Sequence, residues 1–335
     1  MALLGLWLIG GLYLDGWAHN HIPSLETFFT PWHGVLYSGF LVQAAILAGL
    51  FVRNWRRGGS FTTALPQGYG LSLIGAGLFT LGGVGDMLWH VAFGIEIGVE
   101  ALLSPTHIFL ALGGALLITG PIRAALARAD SAGGSFFASL PLIISATTFY
   151  STLTFFTVYA NPYGTTWITL YDRPAPDYTY VTNAIGITSV LFQSALLAAI
   201  VLFLIRNSQL RPGHLTLLLA INTGATAYIN DVYLNLSPLT LFLTGLGAGV
   251  VGDILLWRLK PSLANLRALR TFAFALPAAL YLFYFLAAFT VGIWWTIHFW
   301  TGAIVLAGIS GWLVSYLLVP SSFERVFVSH GPKDF

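Results

Sequence analysis

Ten apolar segments succeed one another along this 335-residue chain, near 2–19, 33–52, 69–93, 105–122, 136–158, 180–205, 214–230, 238–257, 271–291 and 294–319. A hydrocarbon layer about 30 Å thick is crossed by about 20 apolar residues in helical conformation, which is the length of these runs. The chain is 57% hydrophobic and only 8% charged, with a mean hydropathy of +0.80. A soluble domain carries roughly 25% charged residues, so solubility in water is excluded. The expectation is an all-α, polytopic integral membrane helix bundle of about ten transmembrane helices.

Charge placement orients that bundle. Every Lys and Arg except Arg173 falls in alternate loops or in the C-terminal tail. The positive-inside rule assigns those segments, and with them both termini, to the cytoplasm. Asp15, Glu26, Asp86, Glu96, Glu100, Asp172, Asp177 and Asp231 gather at or near the opposite, outer end. The first segment lacks a basic leader and a small-residue cleavage site, so it reads as a retained helix and not as a signal peptide. A formal charge of +2 implies no nucleic-acid partner, while the apolar composition implies membrane lipid as the surrounding partner.

Within this frame one pattern is written twice. Asp15 and His19 are followed by Glu26, Thr30, Pro31 and His33; 71 residues on, Asp86 and His90 are followed by Glu100, Ser104, Pro105 and His107. Only eight histidines and twelve carboxylates occur in the chain, and these are metal-ligand types. With no cysteine, thiolate ligation is out of reach and imidazole with carboxylate remains as the ligand set, and two methionines, Met1 and Met87, are too few for a methionine-lined conduit.

Spacing predicts convergence. Residues four apart lie on one helix face, so each Asp projects beside its following His. Thr30-Pro31 and Ser104-Pro105 read as an N-cap followed by proline at the first helical position, which puts His33 and His107 in the first turn of the next helix. Each repeat is then an up-helix, a short outer loop and a down-helix, with three ligands at one end: Asp15, His19 and His33 in one copy, Asp86, His90 and His107 in the other. An aspartate at membrane depth costs about 2.5–3.5 kcal/mol on insertion scales and faces a cavity or a partner. Glu26 and Glu100 read equally as further ligands, as groups that orient a ligand imidazole, or as solvated loop carboxylates.

At these residues the chain resembles the C subunit of the copper membrane monooxygenases, the particulate methane and ammonia monooxygenases. Asp15, Gly16, His19, Thr30, Pro31 and His33 match that family's first motif, and His90, Glu100, Pro105 and His107 its second. Asp86 stands where the family has asparagine, and the resemblance spans about residues 10–125. It implies a copper site at Asp15, His19 and His33 and a neighbouring one at Asp86, His90 and His107. It further implies dioxygen-dependent oxidation of a small apolar, lipophilic substrate, other membrane monooxygenase-type subunits as partners, and quinol as electron source. Without it, imidazole and carboxylate suit zinc as well as copper. A non-catalytic copper or zinc protein for storage, sensing or delivery, and a zinc-dependent membrane hydrolase, stay open.

The expected organisation is a duplicated four-helix metal-binding unit over 1–125 and six further membrane helices over 126–335. In the latter, the aromatic loop from Tyr159 to Tyr180 reads as a lid over the motif face or as an interfacial belt. Asn230, Asp231, Ser237 and Pro238 look like a faded third copy. His298 reads as a stray ligand or an interface anchor, His21 as a supplement to the first site, and Asp253 as a partner of Arg258.

Overall fold

The computed structural model describes residues 1–22, 28–60, 62–94, 96, 98–128, 135–229 and 235–319. The chain is an all-α, polytopic membrane helix protein, with no strand among the described residues. The long helices are α1 (Ala2–His21), α2 (Pro31–Trp55), α3 (Gly70–Phe93), α5 (Pro105–Ile118) with its continuation α6 (Gly120–Leu126), and α7 (Phe136–Phe156). They continue with α8 (Thr179–Asn207), α9 (His214–Ile229), α10 (Pro238–Leu259), α11 (Leu266–Ala288) and α12 (Ile297–Leu318); a one-turn helix α4 (Val99–Leu103) precedes α5. Each of the ten expected segments is thus a helix. Eight of the described spans are long and apolar enough to cross a bilayer. The other two are α1, whose last turns carry Asp15, His19 and Asn20, and α9, whose 16 residues reach only about 24 Å at 1.5 Å per residue.

The chain divides into two compact units, residues 1–165 with 221–238, and residues 166–220 with 239–335. The first therefore exceeds the expected four-helix unit of 1–125, because α7 and the second half of α9 belong to it. Tyr13 of α1 donates from its phenol to the Ser151 carbonyl (2.9 Å), and the Asn222 amide of α9 donates to the Thr154 hydroxyl (2.7 Å). Polar side chains paired in this way hold helices together in lipid, where apolar contact alone distinguishes poorly between a neighbour helix and an acyl chain.

Both hairpins of the repeat pack by one scheme. Gly11 and Gly82, each four residues before its aspartate, lie against Leu36 and Leu110, each three residues after its second histidine. Gly39 and Gly113, each six residues after that histidine, lie against Leu8 and Phe79. A Cβ built on Gly11 would stand 2.7 Å from the Leu36 backbone, and one on Gly113 2.5 Å from the Phe79 amide nitrogen. Only a bare Cα permits that approach, and the approach brings the two helix ends that carry the ligands side by side. At the other end of the second hairpin, Arg123 donates to the Gly68 and Leu116 carbonyls and to the Thr119 and Ser72 hydroxyls.

In the second unit, residues 167–172 dock on the turn between α11 and α12. Leu170 donates its backbone N–H to the Gly292 carbonyl, Trp294 donates to the Ile168 carbonyl, and Asp172 accepts from Thr166 and Thr169. Asp253 does not pair with Arg258; it caps the start of α9, accepting from the backbone N–H groups of Leu215 and Thr216 and from the Thr216 hydroxyl (2.6 Å). A carboxylate at a helix N-terminus satisfies donors that the helix leaves free, which explains a buried aspartate here without invoking function.

The glycine scheme predicts a contrast. Gly113→Ala should cost about 1–3 kcal/mol by overpacking, whereas Gly77→Ala, with nothing within 4 Å of its built Cβ, should stabilise by about 0.5–1 kcal/mol. Unfolding of the two variants in detergent, followed by circular dichroism, checks both signs.

Candidate metal centre

The local sequence rules that place the ligands hold in both copies. Thr30 caps α2 by accepting the His33 backbone N–H (3.1 Å), and Ser104 caps α5 by accepting that of His107 (3.4 Å), with Pro31 and Pro105 at the first helical position. His33 and His107 consequently stand in the first turn of their helices, facing the last turns of α1 and α3.

There they meet the aspartates. Asp15 Oδ2 lies 3.3 Å from His33 Nε2 and 3.8 Å from His19 Nε2. Asp86 Oδ1 lies 3.2 Å from His107 Nε2 and 3.6 Å from His90 Nε2. Ligand atoms bonded to one ion at about 2.0–2.1 Å in tetrahedral geometry are separated by roughly 3.3 Å. In each trio one ligand atom from every residue lies within 4.8 Å of the other two, so two His and one Asp are gathered at ligand spacing twice. Asp86 is 1% exposed and Asp15 8%. Carboxylates so buried demand compensation by cations, protons or hydrogen bonds, and a divalent ion bound there would supply it.

The surroundings fix the rings. His33 Nδ1 is 2.6 Å from the Phe28 carbonyl, which can only accept; Nδ1 therefore carries a proton, and Nε2 is the nitrogen turned toward Asp15. His107 Nδ1 is held at 2.7 Å by the Ser104 hydroxyl. Thr106 donates to Asp86 Oδ1 (3.0 Å), the oxygen that both imidazoles approach. The Phe28 ring, 4.9 Å from that of His33 and 6.2 Å from that of His90, lies near a ligand of each trio. Partners of this kind orient ligand imidazoles and raise their basicity.

The second trio has one group that sequence reading did not single out. Glu96 Oε2 lies 3.2 Å from His90 Nδ1, whose hydrogen bond goes to the Gly94 carbonyl at 3.2 Å. Both Glu96 oxygens are buried and have no hydrogen-bond partner among the described residues. The second loop makes room for it: Ser104 follows His90 by 14 positions, whereas Thr30 follows His19 by 11. That three-residue excess was the available signal. Glu100, the carboxylate chosen from the pattern, is exposed in α4 and does not line the site. Glu26 lies outside the described residues.

Both trios open into one cavity of about 840 Å³. Its walls come from α1, α2, α3, α5, α7 and the end of α9, all in the first unit. Tyr159 and Thr165 line it, while residues from Trp167 onward dock within the second unit, so only the start of the aromatic loop reaches the site. His21 is not a supplementary ligand: its ring stacks on Trp17 (4.4 Å) and its Nδ1 contacts the Trp17 carbonyl. His298 is exposed at the start of α12, as an interface anchor is. His214 is buried and accepts the Arg211 backbone N–H. Pro238 begins α10 as the faded third copy implies, whereas Asn230 and Asp231 lie outside the described residues.

Comparison of the chain with protein-family models, with curated proteins and with solved structures finds no match.

The Glu96 contact generates a test. Glu96→Gln should weaken metal binding at the Asp86, His90, His107 trio by about 10–100-fold and leave the Asp15, His19, His33 trio unchanged. Competition titrations with a chelator on wild type, Glu96→Gln and the Glu96→Gln, His19→Ala double variant resolve the two.

Proposed function

We propose that this chain is a copper-binding integral membrane oxidoreductase that oxidises a lipophilic substrate with dioxygen, related to the C subunit of the copper membrane monooxygenases. One observation carries the reading: two like sets of two imidazoles and one carboxylate, each short of a full coordination shell, open into a single apolar-walled cavity. A structural metal site is closed by protein ligands, whereas a site of three ligands facing a cavity leaves a position for a reactant. The motif residues resemble those of the family, and copper is chosen on that ground.

Copper held there supplies dioxygen activation. In a monooxygenation, one oxygen atom enters a C–H bond of the substrate and the other leaves as water, consuming two electrons and two protons that a quinol provides. The chain's own residues do the rest. Asp15 and Asp86 anchor the charge, and Phe28 and Ser104 hold the imidazoles with Nε2 inward. The apolar walls admit a membrane-dissolved substrate and keep bulk water from the oxidant. The charge distribution along the chain favours an outward-facing site and cytoplasmic termini.

Metal analysis of purified protein by mass spectrometry, with copper electron paramagnetic resonance, tests this reading on wild type, His19→Ala and His90→Ala. About two coppers per chain is the expected content, each substitution removing one. Oxygen uptake with lipophilic substrates should then require both. Zinc alone would favour the hydrolase, copper without oxygen reactivity the storage or delivery reading, and iron a non-haem oxygenase, since two His and one carboxylate also suit that metal. No stoichiometric metal after reconstitution would refute a metal function.

A further inference from the structure

The cavity beneath the two trios is far larger than a small gaseous substrate needs, and its polarity is graded. On α1 its lining runs along one face from His19 and Asp15 through Leu12 to Leu8. That is 11 residues, or about 16 Å at 1.5 Å per residue. On α5 it runs from His107 through Leu110 to Gly114, and on α3 from His90 to Phe79. The polar groups of these three faces all stand at the ligand end, and below it the three faces are apolar; on α7 Thr152 also lines the cavity, its hydroxyl bound to the Thr148 carbonyl.

We propose that the molecule received here is a single-chain amphiphile of the fatty-alcohol or fatty-acid type. Its polar head lies between the two trios and its hydrocarbon tail fills the shaft down to Leu8 and Gly114. This rests on the first unit's geometry and deepens the proposed function by naming its substrate class. Three matches support it. An extended chain advances about 1.2 Å per bond, as a polypeptide does at 3.3–3.6 Å per three-bond residue, so 16 Å holds about a dozen carbons. A leaflet's share of a 30 Å hydrocarbon layer is about 15 Å, so the shaft repeats the depth and direction of a tail already resting in that leaflet. At about 30 Å³ per water-sized group, 840 Å³ holds about 28 non-hydrogen atoms. That accommodates one chain with its head and excludes a two-chain phospholipid.

The driving force follows from the surroundings. In a bilayer the tail gains little from leaving lipid for protein, since both are apolar. What distinguishes the site is the head: a hydroxyl or carboxylate at membrane depth finds imidazole nitrogens and the ions they hold. The tail in turn restores the dispersion contacts that an empty shaft would forgo.

The test uses the full chain in lipid nanodiscs, with radiolabelled dodecan-1-ol as probe and concentrations expressed as mole fraction in the bilayer. Saturable binding of one dodecan-1-ol per chain is expected, with butan-1-ol at least tenfold weaker. Gly114→Leu and Leu8→Trp, which fill the deep end from two helices, should each lower dodecan-1-ol affinity at least tenfold with metal content unchanged. A built Cβ on Gly114 meets only the Phe79 ring at 3.6 Å, so Gly114→Ala serves as a folded control with binding close to wild type. Absence of saturable binding, equal binding of butan-1-ol, or blocking variants that retain metal and bind dodecan-1-ol normally would each overturn the proposal. Because binding is read without turnover and metal content separately, failure here leaves the metal reading standing, and loss of metal reports on that reading alone.

Discussion

A carboxylate held away from water must be compensated, and most of what is particular to this protein follows from meeting that demand twice. Asp15 and Asp86 are each approached by two imidazole nitrogens at 3.2–3.8 Å. Were either carboxylate left uncompensated, its desolvation would weigh against insertion of the very helix that carries it. The helix starts at Thr30 and Ser104 and the glycine contacts that seat one helix on the next all act to bring imidazoles and carboxylate to a point where a proton or a cation can be shared between them. The cavity lies where the ends of α1, α2, α3 and α5 that carry these residues come together, with α7 and the end of α9 completing its walls.

Duplication accounts for the economy of the design. The equivalent residues are not confined to the ligands: Gly11 with Leu36 and Gly82 with Leu110 make the same backbone approach, as do Gly39 with Leu8 and Gly113 with Phe79. A packing motif and a candidate ligand motif recur together, in the same register, in both hairpins. The ligand geometry is transferable only because the helix spacing beneath it was transferred too.

Much of this is legible in the residues themselves. Apolar runs of bilayer length identify the helices because lipid leaves the backbone few other options, and Thr-Pro-x-His and Ser-Pro-x-His locate two histidines to within one helical turn. The glycine correspondences were equally present in the sequence, but glycine is common in a membrane chain and its meaning depends on which neighbour comes close. Glu96 was hidden for a different reason: it has no counterpart in the first copy, so a search by repetition passed over it in favour of Glu100. Asp253 shows the converse. Nearness in sequence suggested Arg258, whereas the free backbone donors of α9, brought near by folding, were the stronger claim on its oxygens.

Among the described residues, the carboxylate of the longer second loop makes the two trios unequal in negative charge. One carboxylate charge would leave a divalent ion at the first trio one unit positive. Asp86 and Glu96 together would neutralise the same ion in the second. With metal bound, an anionic reactant would be drawn toward the side of Asp15, and a higher oxidation state would be better tolerated on the side of Asp86. One added side chain thereby makes two otherwise like groups of residues chemically unequal.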